Sequence, residues 1–315
     1  MRTVFYGTPE LAVPFLELLS RKTSVVAVVT QPDKPAGRSL AIAPSPVKTA
    51  AIRLGLSVLS PEKPADALAP LGVLKPDLAV AVAYGKILPR EVLSLPTLGS
   101  WNIHFSLLPL YRGAAPVQWS LAQGATQSGV TLFWMEPQLD AGPIFLQRET
   151  AVSEDEDAVG LFARLGRLGL GVLEEALDEA AAGRVRREPQ RGEPTFAARI
   201  RREDARLSLE RSARENHNRT RAMVVWPTAY LELKGPAPRG LKVLKTRLAV
   251  DAQASGEGVA GRILRIERGG GILVQCQDRS ALWLLTVQPE GKKPVGAADF
   301  LNGLRLGVGD LLPLA

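Results

Sequence analysis

Cysteine is almost absent: one residue, Cys276, in a chain of 315 excludes an internal disulfide, so nothing requires an oxidising compartment. Histidine is nearly as scarce. His104, His217 and Cys276 are too few and too scattered for a zinc site of the usual nitrogen and sulfur ligands, which leaves only carboxylates to hold a metal, and we expect none. No apolar run approaches the roughly 20 residues that span a bilayer, and MRTVFYGTPELAVPF has no signal-peptide core; we expect a cytoplasmic protein with no membrane partner. Glycine is missing where phosphate loops need it. The segment FYGTPELA (5–12) has a single glycine, against three in a dinucleotide fingerprint and two plus a lysine in a phosphate loop, so a nicotinamide oxidoreductase is disfavoured. Ser106 has no Gly-x-Ser-x-Gly elbow around it, which argues against a serine hydrolase.

What is present points to two domains. The length exceeds one ordinary core, and 46% hydrophobic with 23% charged residues fits a folded globular chain. RTVFYG (2–7), VVAVVT (25–30), PDLAVAVAYG (76–85) and GSWNIHFS (99–106) read as buried strands separated by helical stretches, the pattern of a parallel sheet covered on both faces. After the first of these, Thr8 is placed to cap a helix with Pro9 at its first position. Residues 157–183 read as one long amphipathic helix or a pair, and the charged stretch RVRREPQRGEPTFAARIRRED (184–204) as a linker. Beyond residue 208 come short strand-like runs, TAYLEL, LKVLKTRL, GILVQC and ALWLLTVQ, broken by glycine and proline, which suggest a small barrel.

The net charge of +7 is unevenly placed. Residues 1–205 hold 22 basic and 22 acidic side chains, whereas residues 206–315 hold 17 and 10. A neutral body joined to a basic module suits chemistry in the first and a polyanion on the second.

In NIHFSLLPLYRGAAP (102–116), Asn102 and His104 lie two apart at the carboxyl end of an expected strand, so both side chains leave one face. A carboxamide beside an imidazole can stabilise an oxyanion while moving protons. MEPQLDAGPI (135–144) supplies Asp140 in a turn beside Gly142, where a carboxylate can orient His104 or hold a water. The residues alone leave open that His104 is a satisfied core residue.

The chain resembles the methionyl-tRNA formyltransferase family over nearly its full length. The resemblance rests on FYGTPELA, TQPDKPAGR (30–38) with PSPVK (44–48), VAYGKILP (82–89), NIHFSLLPLYRGAAPVQWSL (102–121), GVTLFWMEPQLDAGPI (129–144), WPTAYLEL (226–233) and VQPEGKKPVGAADFLNG (287–303). The Asn-x-His-x-Ser-Leu-Leu-Pro run and Leu-Asp-x-Gly are shared with other formyltetrahydrofolate enzymes; the loop at 30–38 and PEGKK are closer to the tRNA enzymes. The resemblance implies an α/β fold: a Rossmann-like catalytic domain with a mostly parallel sheet (1–188), a linker (189–207) and an OB-like β-barrel domain (208–315). It implies Asn102, His104 and Asp140 as the catalytic trio. Ser106, Leu107, Leu108 and Pro109, with Tyr84, Gly85 and Ile87, would bind 10-formyltetrahydrofolate. Lys34, Arg38, Lys48, Lys292 and Lys293 would contact initiator methionyl-tRNA, and the enzyme would be a monomer without a metal.

One departure concerns the loop. Where the family carries further lysines after its arginine, this chain reads SLAIAP, so the loop keeps only Lys34, Arg38 and Lys48. The stretch ENHNRTRAMVVWP (215–227) is more polar than the family's version, and His217 is expected at the surface with no assigned role. Two alternatives stay open: a formyltransferase acting on a small amine, such as a sugar nucleotide or glycinamide ribonucleotide, and a non-catalytic RNA-binding relic.

Overall fold

The continuously apolar runs become the strands of one sheet. The computed structural model describes residues 1–36, 41–234, 239–249 and 259–315. Among them, β1 (Arg2–Gly7), β2 (Ser24–Val29), β3 (Val58–Leu59), β4 (Leu78–Val82) and β5 (Ser100–His104) lie parallel in the order β5-β4-β1-β2-β3. An antiparallel strand, β6 (Gln127–Trp134), pairs with β5, and β7 (Ile144–Ala151) follows at the edge. All five residues of β4 are buried, as a strand covered on both faces requires. Helix α1 (Val13–Lys22) buries Phe15, Leu16 and Leu19 at helical spacing.

Thr8 does not cap α1. Its hydroxyl donates to the Tyr84 carbonyl at 3.0 Å, and a 3-10 turn, Glu10–Ala12, leads into the helix instead. The contact ties together the carboxyl ends of the adjacent strands β1 and β4. The long helical stretch is one helix, α2 (Ala158–Ala181).

The chain divides into two units, 1–116 with 128–150 and 163–198, and 117–127 with 151–162 and 199–315. Residues 184–198 therefore belong with the sheet just described. Glu188 bridges to Ile144, and Phe196–Ala197 pairs in parallel with Arg112–Gly113.

The second unit is built on an antiparallel sheet of β8 (Tyr230–Leu233), β9 (Arg239–Leu248), β10 (Ile263–Glu267), β11 (Gly271–Gln275), β12 (Ala281–Pro289) and β13 (Val295–Gly296). Its order is β8-β9-β12-β11-β10, with β13 on β12. Residues 310–315 bridge the two edges. Lys234 N donates to the Pro313 carbonyl at 2.7 Å beside β8, and Ile263 N donates to the Asp310 carbonyl at 2.9 Å on β10. Residues 310–315 thus bond to strands at both edges of this sheet, and the antiparallel β domain expected after residue 208 is present. Cys276 is buried here, and its thiol is pushed up to about 12 by burial, so it is not a nucleophile at neutral pH.

His217 corrects the surface expectation: it is only 2% exposed. It sits on α3 (Ala213–Ala222), a helix whose polar face is buried because its groups find carbonyl partners. Asn216 Nδ2 donates to the Ser208 and Ser212 carbonyls at 2.9 Å each, and Arg221 Nη1 donates to those of Ser153 at 3.0 Å and Glu156 at 3.2 Å. His217 Nε2–H donates to the Glu154 carbonyl at 3.1 Å, which leaves Nδ1 to accept from the Thr246 hydroxyl at 3.0 Å. This arrangement serves the neutral ring, and burial lowers the His217 pKa below its ordinary value. The unfolded chain therefore binds the extra proton first, so the stabilisation is complete above about pH 6.5 and declines as pH falls below it. Thermal unfolding of the parent should fall more steeply between pH 7 and pH 5 than that of His217→Gln; equal slopes would remove His217 as the cause.

Candidate active site

Asn102 and His104 leave the same face at the carboxyl end of β5, opposite Phe133 and Thr131 on β6. The position is the usual ligand edge of a parallel sheet. His104 is 5% exposed and stands edge-on to the Phe133 ring, 6.4 Å between centroids. Its Nε2–H donates to the Tyr111 carbonyl at 2.9 Å, and Nδ1 lies 3.7 Å from Asp140 Oδ2. Both ring nitrogens thus face oxygen.

Asp140 reaches this position from the turn after β6. Its backbone is left-handed, with φ of 48°, a conformation that aspartate tolerates better than most residues. Its side chain is 9% exposed, and Oδ2 accepts the Gly113 amide at 2.8 Å. The glycine in Leu-Asp-x-Gly has a steric cause, because a Cβ on Gly142 would run into the Trp134 carbonyl oxygen. Gly113 is similarly constrained: its φ is 126° and a Cβ would meet the Ala197 carbonyl oxygen at 2.5 Å.

The SLLP turn follows β5 directly. Ser106 Oγ donates to the Leu110 carbonyl at 2.6 Å, so this buried hydroxyl holds the turn. Thr131 Oγ1 donates to the Ser106 carbonyl at 2.7 Å and accepts from Leu108 N at 3.2 Å and Gln147 Nε2 at 2.8 Å. Leu108 and Pro109 are buried and Leu107 half-buried. At the carboxyl end of β4, Tyr84 is buried edge-on to Tyr6, 5.4 Å between centroids, and burial raises the pKa of both phenols. Gly85 has a φ of 80°, which turns the chain, and Ile87 is 73% exposed.

The loop after β2 is anchored here too. Gln31 Nε2 donates to the Tyr84 carbonyl at 2.8 Å, and Gln31 Oε1 accepts from Lys34 Nζ at 2.7 Å. Lys48 Nζ pairs with Asp33 Oδ2 at 2.7 Å. Both lysines are therefore engaged within the loop, while Arg38 lies outside the described residues. In the second unit, Lys292 and Lys293 are exposed on the turn between β12 and β13.

Several contributors escaped the sequence reading. Tyr111 supplies the carbonyl for His104, and its amide donates to Thr195 Oγ1 at 2.8 Å. Arg112 and Gln190 join beside Asp140. The available signal was the adjacency of YRG to the His motif; Gln190 and Thr195 had none, since their partners lie about 50 or more residues away.

The family model for formyl transferase matches residues 1–177, and that for the formyl transferase C-terminal domain matches residues 199–305. A methionyl-tRNA formyltransferase of Elusimicrobium minutum is 41% identical over 99% of both chains, and one of Pseudomonas paraeruginosa is 43% identical over 97% of this chain and 96% of its own. WlaRD, a sugar 3N-formyl transferase solved in the presence of dTDP and 5-N-formyl-THF, superposes with a TM-score of 0.65 at 17% identity, covering 93% of this chain and 99% of its own, which bears on the fold alone. By full-length identity to curated relatives and by both domain matches, the chain belongs to the methionyl-tRNA formyltransferase family.

Proposed function

We propose that the chain transfers the formyl group of 10-formyltetrahydrofolate to the free amine of initiator methionyl-tRNA. The observation that carries this reading is the imidazole of His104, held between the Tyr111 carbonyl and the Asp140 carboxylate on the strand edge that also presents Asn102. The names of the relatives support the acceptor.

The folate supplies an activated formyl carbon. The methionyl nitrogen forms a bond to that carbon, and the carbonyl electron pair moves onto oxygen. The Asn102 carboxamide donates to this oxyanion. His104 takes the proton that the amine must lose, and Asp140 balances the charge that forms on the ring. Collapse breaks the bond from carbon to the folate nitrogen, which takes the proton back from His104, and leaves tetrahydrofolate, N-formylmethionyl-tRNA and a neutral imidazole.

Ser106–Pro109 would shape the folate pocket from one side, and Tyr84, Gly85 and Ile87 from the other. The left-handed backbone at Ala83 and Gly85 turns the chain sharply at the carboxyl end of β4, and Thr8 and Gln31 hold that turn through the Tyr84 carbonyl. Lys34, Arg38 and Lys48 would meet the tRNA acceptor end. Residues 1–188 would carry catalysis with 189–198 packed in the same unit, 199–207 would lead into the second unit, and 208–315 would hold tRNA through its basic excess, with Lys292 and Lys293 exposed for the purpose. The enzyme would work as a cytoplasmic monomer.

Incubating the chain with 10-formyltetrahydrofolate and methionyl-tRNA should yield N-formylmethionine after deacylation; its absence from a folded protein overturns the reading. Replacing Lys292 and Lys293 by alanine should weaken tRNA binding. The slope of log K against log salt should become shallower by roughly 0.7 to 0.9 for each phosphate that is no longer neutralised. An unchanged slope would remove these lysines from the interface.

A further inference from the structure

The backbones that carry both oxygen partners of His104 are held by one segment, residues 188–197, none of whose side chains takes part in the steps proposed above. At one end, Thr195 accepts the Tyr111 amide on Oγ1 at 2.8 Å, and its carbonyl accepts the Arg112 amide at 2.8 Å, which fixes the peptide whose carbonyl receives His104 Nε2–H. At the other end stands Gln190. Its Nε2 donates to the carbonyls of Asp140 and Gly142, each at 2.8 Å. Its Oε1 accepts from Arg112 Nε at 3.1 Å and Nη2 at 2.6 Å.

This arrangement defines the orientation of the carboxamide. Both amide protons are engaged by carbonyls and the oxygen by a guanidinium; a flipped group would set N–H against N–H and oxygen against oxygen. The two carbonyls flank Ala141 and so span the turn in which Asp140 holds its left-handed φ of 48°. A non-glycine residue keeps that conformation only where its surroundings determine it. Gln190 supplies that determination from outside the turn, while Gly113, next to Arg112, takes the other side of Asp140 through its amide.

Resting on the proposed transfer reaction, we propose that Gln190 is a positioning residue: clamped by Arg112, it fixes the Asp140 turn so that the carboxylate faces His104 Nδ1. The stretch with linker composition thereby becomes the brace of the catalytic pair.

The test compares Gln190→Ala and Gln190→Glu in the full chain. Glutamate is nearly isosteric and keeps the acceptor for Arg112, but it loses both donors and sets an oxygen against the Asp140 and Gly142 carbonyls. Both variants should lower kcat roughly 10- to 100-fold, within the range that small misplacement of reacting groups can cost, with little change in KM for either substrate. In an Asp140→Asn background the same changes should cost less than about 2-fold, because a residue acting through Asp140 has nothing left to position. A second readout needs no acceptor. The chain has only two histidines, so imidazole nitrogen spectra resolve both, and the variants should move the His104 signals and leave those of His217 in place.

A near-parental kcat in either folded variant, a full additional loss in the Asp140→Asn background, or unmoved His104 signals would each overturn the inference. If the parent forms no N-formylmethionyl-tRNA, the functional reading fails, and the imidazole spectra alone decide the role of Gln190. If Gln190→Ala does not fold, the isosteric Gln190→Glu decides it.

Discussion

His104→Ala should lower formyl transfer about 100- to 1000-fold or more, the usual cost of removing an acid-base or oxyanion group, while the protein keeps its fold. The retained fold is expected because His104 is tied to the core by one hydrogen bond to the Tyr111 carbonyl and by an edge-on contact with Phe133, both at the margin of the sheet. Removing the ring leaves the Tyr111 carbonyl and the Asp140 carboxylate without it, and that side of the site opens to water. Single-turnover transfer measures the rate, and circular dichroism checks the fold. A folded variant with near-parental rate would withdraw the catalytic assignment of the whole motif.

Asp140→Asn should be nearly as damaging, by about 100-fold, although it preserves volume. The asparagine carbonyl oxygen can still accept the Gly113 amide, so the turn should survive. What disappears is the negative charge facing Nδ1, and with it the balance for a proton arriving on the ring. The double variant His104→Ala/Asp140→Asn should be no slower than the slower single one, because residues acting as a unit fail together. Multiplying losses would show that the two groups act independently and that their 3.7 Å approach has no catalytic meaning.

The parts of this molecule that sequence reasoning reaches are those set by local pattern. A strand buried on both faces must be continuously apolar, so LAVAV and its neighbours announce a parallel sheet. The period of two pairs Asn102 with His104 before any fold is known, and the glycine two after Asp140 marks its turn. The parts that stay hidden depend on partners distant in the chain. Residues 184–198 carry charge, proline and glycine, the composition of a linker, yet Gln190 and Thr195 meet backbone groups of residues 111, 140 and 142 that no local period encodes. Helix α3 misleads for the same reason. Its polar sequence indicates solvent, but carbonyls of Ser153, Glu154 and Glu156 satisfy its buried face. Ser212 and Glu215, by contrast, form a capping box at its start whose spacing is visible in the sequence.

On the proposed reading this site formylates the amine of an aminoacylated tRNA rather than that of a small molecule. The most direct test is a competition at equal concentration between methionyl-tRNA and a dTDP-linked amino sugar for formyl groups from labelled 10-formyltetrahydrofolate. Label should accumulate on methionyl-tRNA, and His104→Ala should abolish most of that accumulation. Label on the amino sugar with none on the tRNA would contradict the claim, leaving the formyl chemistry in place and removing the acceptor assigned to it.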